Sequence, residues 1–219
     1  MYLIDALDII KEYEGHRALN GVSVQIPENC IYGILGPNGA GKTTFLKNFA
    51  RQFAGRRLRL IINEFGRAGV DGTLLRELDA ALDEISNGSI FCACRLDQFE
   101  AALEQAAADA PDVVLVEASG LADPTNVRRV LAQFPAVSYQ GSVCVADAAR
   151  LEKVFSTARA CPRQLAVSSL VLLNKTDLAT EAQCAEAKAL ILRANPAARI
   201  RRTQFGRFEP EWLSLIVPD

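Results

Sequence analysis

Short apolar runs alternate with longer amphipathic stretches along most of the chain, the pattern of buried strands joined by crossover helices in a parallel sheet. Five runs read as buried strands: Ile31 to Leu35, Leu58 to Ile62, Val113 to Val116, Val143 to Val145 and Leu170 to Leu173. Each ends at a turn or polar cluster, where open parallel sheets hold their ligands. Apolar spacing predicts helices from about Lys42, from about Leu96 to Ala108, from about Thr125 to Gln133 and from about Thr180 to Arg193. The last has Thr180 as its cap and stops before Asn195-Pro196. Ahead of this core, Leu7-Asp8-Ile9-Ile10 and Val22-Ser23-Val24-Gln25-Ile26 read as a strand pair added within the first 30 residues. The expected architecture is one α/β domain over residues 1–219, three-layered, with a mostly parallel central sheet and no repeat or linker.

Composition narrows the function classes. The 219 residues are 50% hydrophobic and 23% charged, enough for one compact core. With 24 basic against 26 acidic residues the net charge is -2, so no positive field exists to hold a polyanion and nucleic acid is not an expected partner. No apolar run approaches the ~20 residues of a membrane span, and Met1-Tyr2-Leu3-Ile4-Asp5 lacks the basic region of a secretion signal. A cytoplasmic protein is expected. Its six cysteines (Cys30, Cys92, Cys94, Cys144, Cys161, Cys184) show no regular spacing, which suits reduced thiols, and only Cys92-Ala93-Cys94 forms a close pair.

Three blocks carry chemistry. Gly36-Pro37-Asn38-Gly39-Ala40-Gly41-Lys42-Thr43, followed by Thr44, fits G-x-x-x-x-G-K-[ST] after an apolar strand and before a helix. Glycines let successive backbone N–H groups turn toward phosphate oxygens, and the helix amino end adds partial positive charge. Lys42 is expected to reach the β and γ phosphates and Thr43 to place its hydroxyl on Mg²⁺. In Val113-Val114-Leu115-Val116-Glu117-Ala118-Ser119-Gly120, a strand-end carboxylate can hold a Mg²⁺-bound water, and Gly120 brings an N–H toward the γ-phosphate. Lys42, Glu117 and Gly120 are therefore the candidate catalytic residues of a nucleoside triphosphatase.

The third block, Leu170-Val171-Leu172-Leu173-Asn174-Lys175-Thr176-Asp177, is an apolar strand ending in N-K-x-D. A carboxylate there can accept hydrogen bonds from N1–H and the 2-amino group of guanine, donors that adenine does not present together. GTP is thus the expected nucleotide, with Asn174 bracing the phosphate loop and Lys175 lying along the base.

These blocks resemble the CobW-type GTPases, relatives of the urease and hydrogenase nickel-insertion GTPases, over residues 31 to about 208. The resemblance also rests on Asn63-Glu64-Phe65-Gly66 with Gly69-Val70-Asp71-Gly72, Ser86-Asn87-Gly88, Leu121-Ala122-Asp123-Pro124 and Val145-Ala146-Asp147-Ala148. It continues through Asn195-Pro196 and Thr203-Gln204-Phe205-Gly206. It implies a P-loop NTPase fold and a nucleotide-driven switch that delivers or senses a transition metal such as Zn, Co or Ni, or serves assembly of a metal or corrinoid enzyme. A client metalloprotein or corrinoid-enzyme component is the implied partner, and a homodimer stays open. Glu64 and Asp71 would lie on the first switch, Glu117 and Gly120 on the second. Family members usually carry a C-x-C-C block after the Asn-Gly. Here Asn87-Gly88-Ser89-Ile90-Phe91-Cys92-Ala93-Cys94-Arg95 keeps one direct match, Cys92. Cys94 restores a pair on an extended strand, and Zn²⁺ or Co²⁺ would take Cys92, Cys94 and either Glu64 or water. The alternative is two buried small hydrophobes. The single histidine, His16, supplies no histidine-rich tract for storing metal.

Residues 7 to 49 also resemble the opening of an ABC-type ATPase, in Lys11-Glu12-Tyr13, Ala18-Leu19-Asn20-Gly21-Val22-Ser23 and the phosphate loop itself. In that family an aromatic residue ahead of the loop stacks on adenine, so Tyr13 joins the candidate nucleotide-binding residues and ATP stays as the alternative ligand. The L-S-G-G-Q signature and a strand ending in Asp-Glu are absent from the sequence.

Overall fold

The computed structural model describes residues 2–13, 16–27, 29–63, 72–85, 96–121, 124 and 127–218. Two sheets form. β1 (Tyr2–Tyr13) and β2 (His16–Pro27) pair antiparallel as a hairpin of their own, longer than the strand pair expected there. The second sheet has seven strands: β3 (Cys30–Leu35), β4 (Leu58–Asn63), β5 (Ala81–Ile85), β6 (Val113–Glu117), β7 (Ser138–Asp147), β8 (Leu170–Asn174) and β9 (Arg199–Arg202). Its order is β5-β4-β6-β3-β7-β8-β9, with every pairing parallel.

The five apolar runs all become strands, because a strand covered on both faces reads as a near-continuous apolar run. β6 and β8 are buried at every position. Alternate residues feed opposite layers. Tyr32, Ile34, Leu60, Leu115, Val145 and Leu172 face α1 (Lys42–Ala50) and α2 (Gly72–Leu78), where Phe45, Phe49, Phe53 and Phe208 pack ring against ring. On the other side lie α3 (Leu96–Asp109) and α4 (Val127–Leu131), then α5 (Leu151–Thr157), α6 (Ala160–Ala166) and α7 (Glu181–Ala194). Thr180 caps α7 in a reciprocal capping box with Gln183. The helix expected around Thr125 to Gln133 is the shorter α4.

Strand order places the candidate site. The chain runs from β3 outward to β4 and β5, returns to insert β6, and then continues on the other flank through β7. The order reverses about β3, so a crevice opens at the carboxyl ends of β3 and its neighbours. Both motif strands, β6 and β8, end on that same edge of the sheet, as does β7. No helix among the described residues is long and apolar enough to cross a membrane.

Candidate nucleotide site

The loop between β3 and α1 turns on glycine. Gly41, the residue before α1, has φ +101°, and a Cβ there would lie 2.6 Å from Asn174 Nδ2. Only glycine relieves both constraints. No side chain caps the amino end of α1 and its first turn holds no acid, so the helix presents its partial positive charge to the loop. Ala40 N–H donates to Pro37 O at 3.2 Å, closing the turn, and the buried Lys42 ammonium donates to the same carbonyl at 3.3 Å. Asn38 and Gly39 are exposed along the loop and Thr44 lies exposed on α1.

Glu117 ends β6 beside this loop and is 7% exposed. Thr43 Oγ1 donates to its Oε1 at 3.4 Å, while Oε2 takes no hydrogen bond among the described residues. A buried carboxylate oxygen without a donor, next to a hydroxyl and a phosphate-type loop, is a hard-oxygen set that fits Mg²⁺ with its water shell. Burial pushes the Glu117 carboxyl above the ordinary glutamate value, against the pull of Lys42 and the Thr43 hydroxyl. As pH rises, the unfolded chain then loses this proton first, so stability falls until the folded carboxyl has also ionised. Glu117→Gln removes that titration. In thermal melts without nucleotide, the variant is expected to exceed the parent at neutral pH and to match it more closely below the ordinary glutamate range. A variant that melts lower than the parent at neutral pH contradicts this account of the site.

Three residues on, Gly120 touches the phosphate loop. A Cβ at Gly120 would lie 2.2 Å from Asn38 Oδ1 and 2.4 Å from Asn38 N, so only a glycine backbone approaches so closely. From the opposite flank, Asn174 Nδ2 donates to Ala40 O at 2.8 Å and Asn174 Oδ1 accepts from Gly206 N–H at 3.0 Å. Lys175, held at φ +60°, donates to Gly39 O at 2.6 Å and to Asp147 Oδ2 at 2.8 Å. Asp177 is exposed just beyond them. The phosphate loop is therefore clasped by the N-K-x-D segment on one side and by the segment after β6 on the other.

Residues 30–202 match the family model described as CobW/HypB/UreG, nucleotide-binding domain. The chain belongs to this family. The match opens at the first residue of β3 and closes at the last residue of β9, so the seven-stranded sheet is the CobW/HypB/UreG domain and the β1–β2 hairpin lies outside it. The zinc chaperone CobW of Pseudomonas aeruginosa is 30% identical over 210 residues, covering 80% of this chain and 55% of its own length. A zinc chaperone CobW of a Sinorhizobium species is 32% identical over 197 residues, covering 70% and 52%. This chain thus spans about half the length of the curated relatives it matches. Among solved structures, Zn(II)-bound YjiA GTPase from E. coli superposes with TM-score 0.61 at 21% identity, over 86% of this chain and 61% of that one. HypB from Archaeoglobus fulgidus gives 0.56 at 20% identity, over 85% and 87%.

Within this CobW/HypB/UreG domain the structure brings together Gly36 through Thr43, Glu117, Gly120, Asn174 and Lys175. Glu64, Cys92 and Cys94 lie outside the described residues, and so does the side chain of Tyr13, whose backbone ends β1. Sequence reasoning missed Asn48, Asp147 and Gln164. Asn48 Nδ2 holds the carbonyls of Phe205 and Gly206 at 3.1 and 2.9 Å, and Asp147 anchors Lys175. Asp147 stood in a strand-end V-A-D-A block that marked it; Asn48 and Gln164 had no local signal.

Proposed function

We propose that the chain binds GTP with Mg²⁺ over the 36–43 loop and hydrolyses it as a switch in delivering a transition metal ion to a client protein. The observation that carries this reading is the double tie from Asn174 to Ala40 and from Lys175 to Gly39, which joins the N-K-x-D segment to the 36–43 loop. Loop N–H groups and the amino end of α1 receive phosphate oxygens. Lys42 extends its charge to the β and γ phosphates, and Asp177 accepts from N1–H and the 2-amino group of guanine while Lys175 lies along the ring. Thr43 and Glu117 would hold Mg²⁺, which when bound neutralises charge on the phosphate oxygens. Glu117 orients water, and Gly120 offers its N–H toward the γ-phosphate as charge develops there.

For the cargo, the reading assigns Zn²⁺ to the thiolates of Cys92 and Cys94, with Glu64 as a further donor. The zinc chaperone relatives support it. So does the state of the described cysteines: Cys30, Cys144, Cys161 and Cys184 are all buried, and burial pushes the Cys161 thiol up to about 11, far from the thiolate a metal needs. Among the described residues no cluster of three or more His, Cys, Asp or Glu could hold a metal ion. The client would be a cytoplasmic metalloprotein or a corrinoid-enzyme component. Calorimetric titration of the full chain with Zn²⁺ is expected to show saturable binding that is lost in the double variant Cys92→Ser and Cys94→Ser. Unchanged Zn²⁺ binding by that variant rules the site out.

A further inference from the structure

The segment that carries Gly120 is held from a second direction. Gln164 on α6 is fully buried, and its side-chain amide donates to Ser119 O at 3.3 Å and to Gly120 O at 3.5 Å. Its helix is itself braced. Ser168 Oγ donates to Gln164 O at 2.6 Å, and Asn195 Nδ2 donates to the carbonyls of Leu165 and Ser168 at 3.2 and 2.9 Å. The described peptide bonds are all trans, so the C=O of Ser119 and the N–H of Gly120, which share one peptide plane, point in opposite directions. Drawing the Ser119 carbonyl toward α6 therefore aims the Gly120 N–H away from α6. Gly120 lies against Asn38 of the phosphate loop, and the next N–H, that of Leu121, is engaged by Ser119 Oγ at 3.3 Å.

We infer that Gln164 is the positioning residue that aims the Gly120 N–H at the γ-phosphate, making α6 the support on which the nucleotide's third phosphate is sensed. This rests on the triphosphate reading of the 36–43 loop. The α and β phosphates are served by that loop, so Gln164 acts only on the triphosphate state, a signature that a generic packing role lacks. A donor aimed in advance costs nothing to reorganise when charge builds on the γ-phosphate.

The experiment compares GDP with the β,γ-imido analogue of GTP by isothermal titration on the full chain and on Gln164→Leu. The variant keeps side-chain bulk and removes the donor. Affinity for the triphosphate analogue is expected to fall about tenfold, the scale of a lost buried hydrogen bond. GDP affinity is expected to stay unchanged, and GTP turnover to fall in parallel. Gln164→Met, which has similar bulk and more flexibility, is expected to give the same split and serves if the leucine variant does not fold. Equal losses for both nucleotides, or no loss for either, overturn the assignment. Failure of the unsubstituted chain to bind GDP strikes the nucleotide reading first and this inference with it.

Discussion

Lys42→Ala is expected to abolish GTP turnover and to weaken GTP binding by at least about 100-fold, while the fold survives. The size follows from the loss of charge-assisted contacts to two phosphates, each of about 1.5–3 kcal/mol. The ammonium is buried in the loop, where it donates to the Pro37 carbonyl, and it also steadies the Glu117 carboxylate. Alanine keeps helix propensity at the start of α1 and leaves the α1 aromatics, Phe45 and Phe49, in place. Phosphate release, calorimetry and a melting curve on the same sample check it. Parent-level turnover by a folded variant shows that the loop is not the phosphate site.

The second large effect concerns the base. Asp177→Asn exchanges a group that only accepts for an amide that accepts at one atom and donates at the other. The 2-amino group of guanine then faces a donor, and a mismatch of this kind, once the base covers it, weakens binding on the order of 100-fold. Xanthine carries a carbonyl where guanine has that amino group, so xanthosine nucleotides are expected to bind the variant better than guanosine nucleotides do. Hydrolysis assays with GTP and XTP on parent and variant read the exchange. An unaltered preference would place Asp177 away from the base.

The sheet was legible because its central strands each carry a short, mostly apolar run bounded by turn or polar residues, the pattern expected of strands covered on both faces. Its edges were not. β5 (Ala-Leu-Asp-Glu-Ile) and β9 (Arg-Ile-Arg-Arg) carry charges whose partners are distant in sequence. Arg202 reaches Glu181, and Arg59 of β4 is nearly buried between Asp83 of β5 and Asp109 at the end of α3. Those pairings satisfy charges that local sequence alone marks as surface. α5 and α6, seven residues each, are too short to show a helical period.

The site divides in the same way. The contiguous motifs, from Gly36 to Thr43 and from Asn174 to Lys175, were visible as candidates in the sequence, and the fold sets them against each other. Residues that act across the fold could not. Gln164 meets Ser119 from 45 positions away, and Asn48 meets Gly206 from 158. In each case an ordinary polar residue gains its role only when the sheet brings two loops together.

Guanine recognition over the Lys42 loop is the claim on which the mechanism and the switch both stand. Competition against labelled GDP on the unsubstituted chain with Mg²⁺ tests it most directly. The account predicts that GTP displaces the label at near-equal concentration, while ATP needs roughly 100-fold more because adenine leaves Asp177 without its donors. Displacement by ATP at the same concentration as GTP would contradict it.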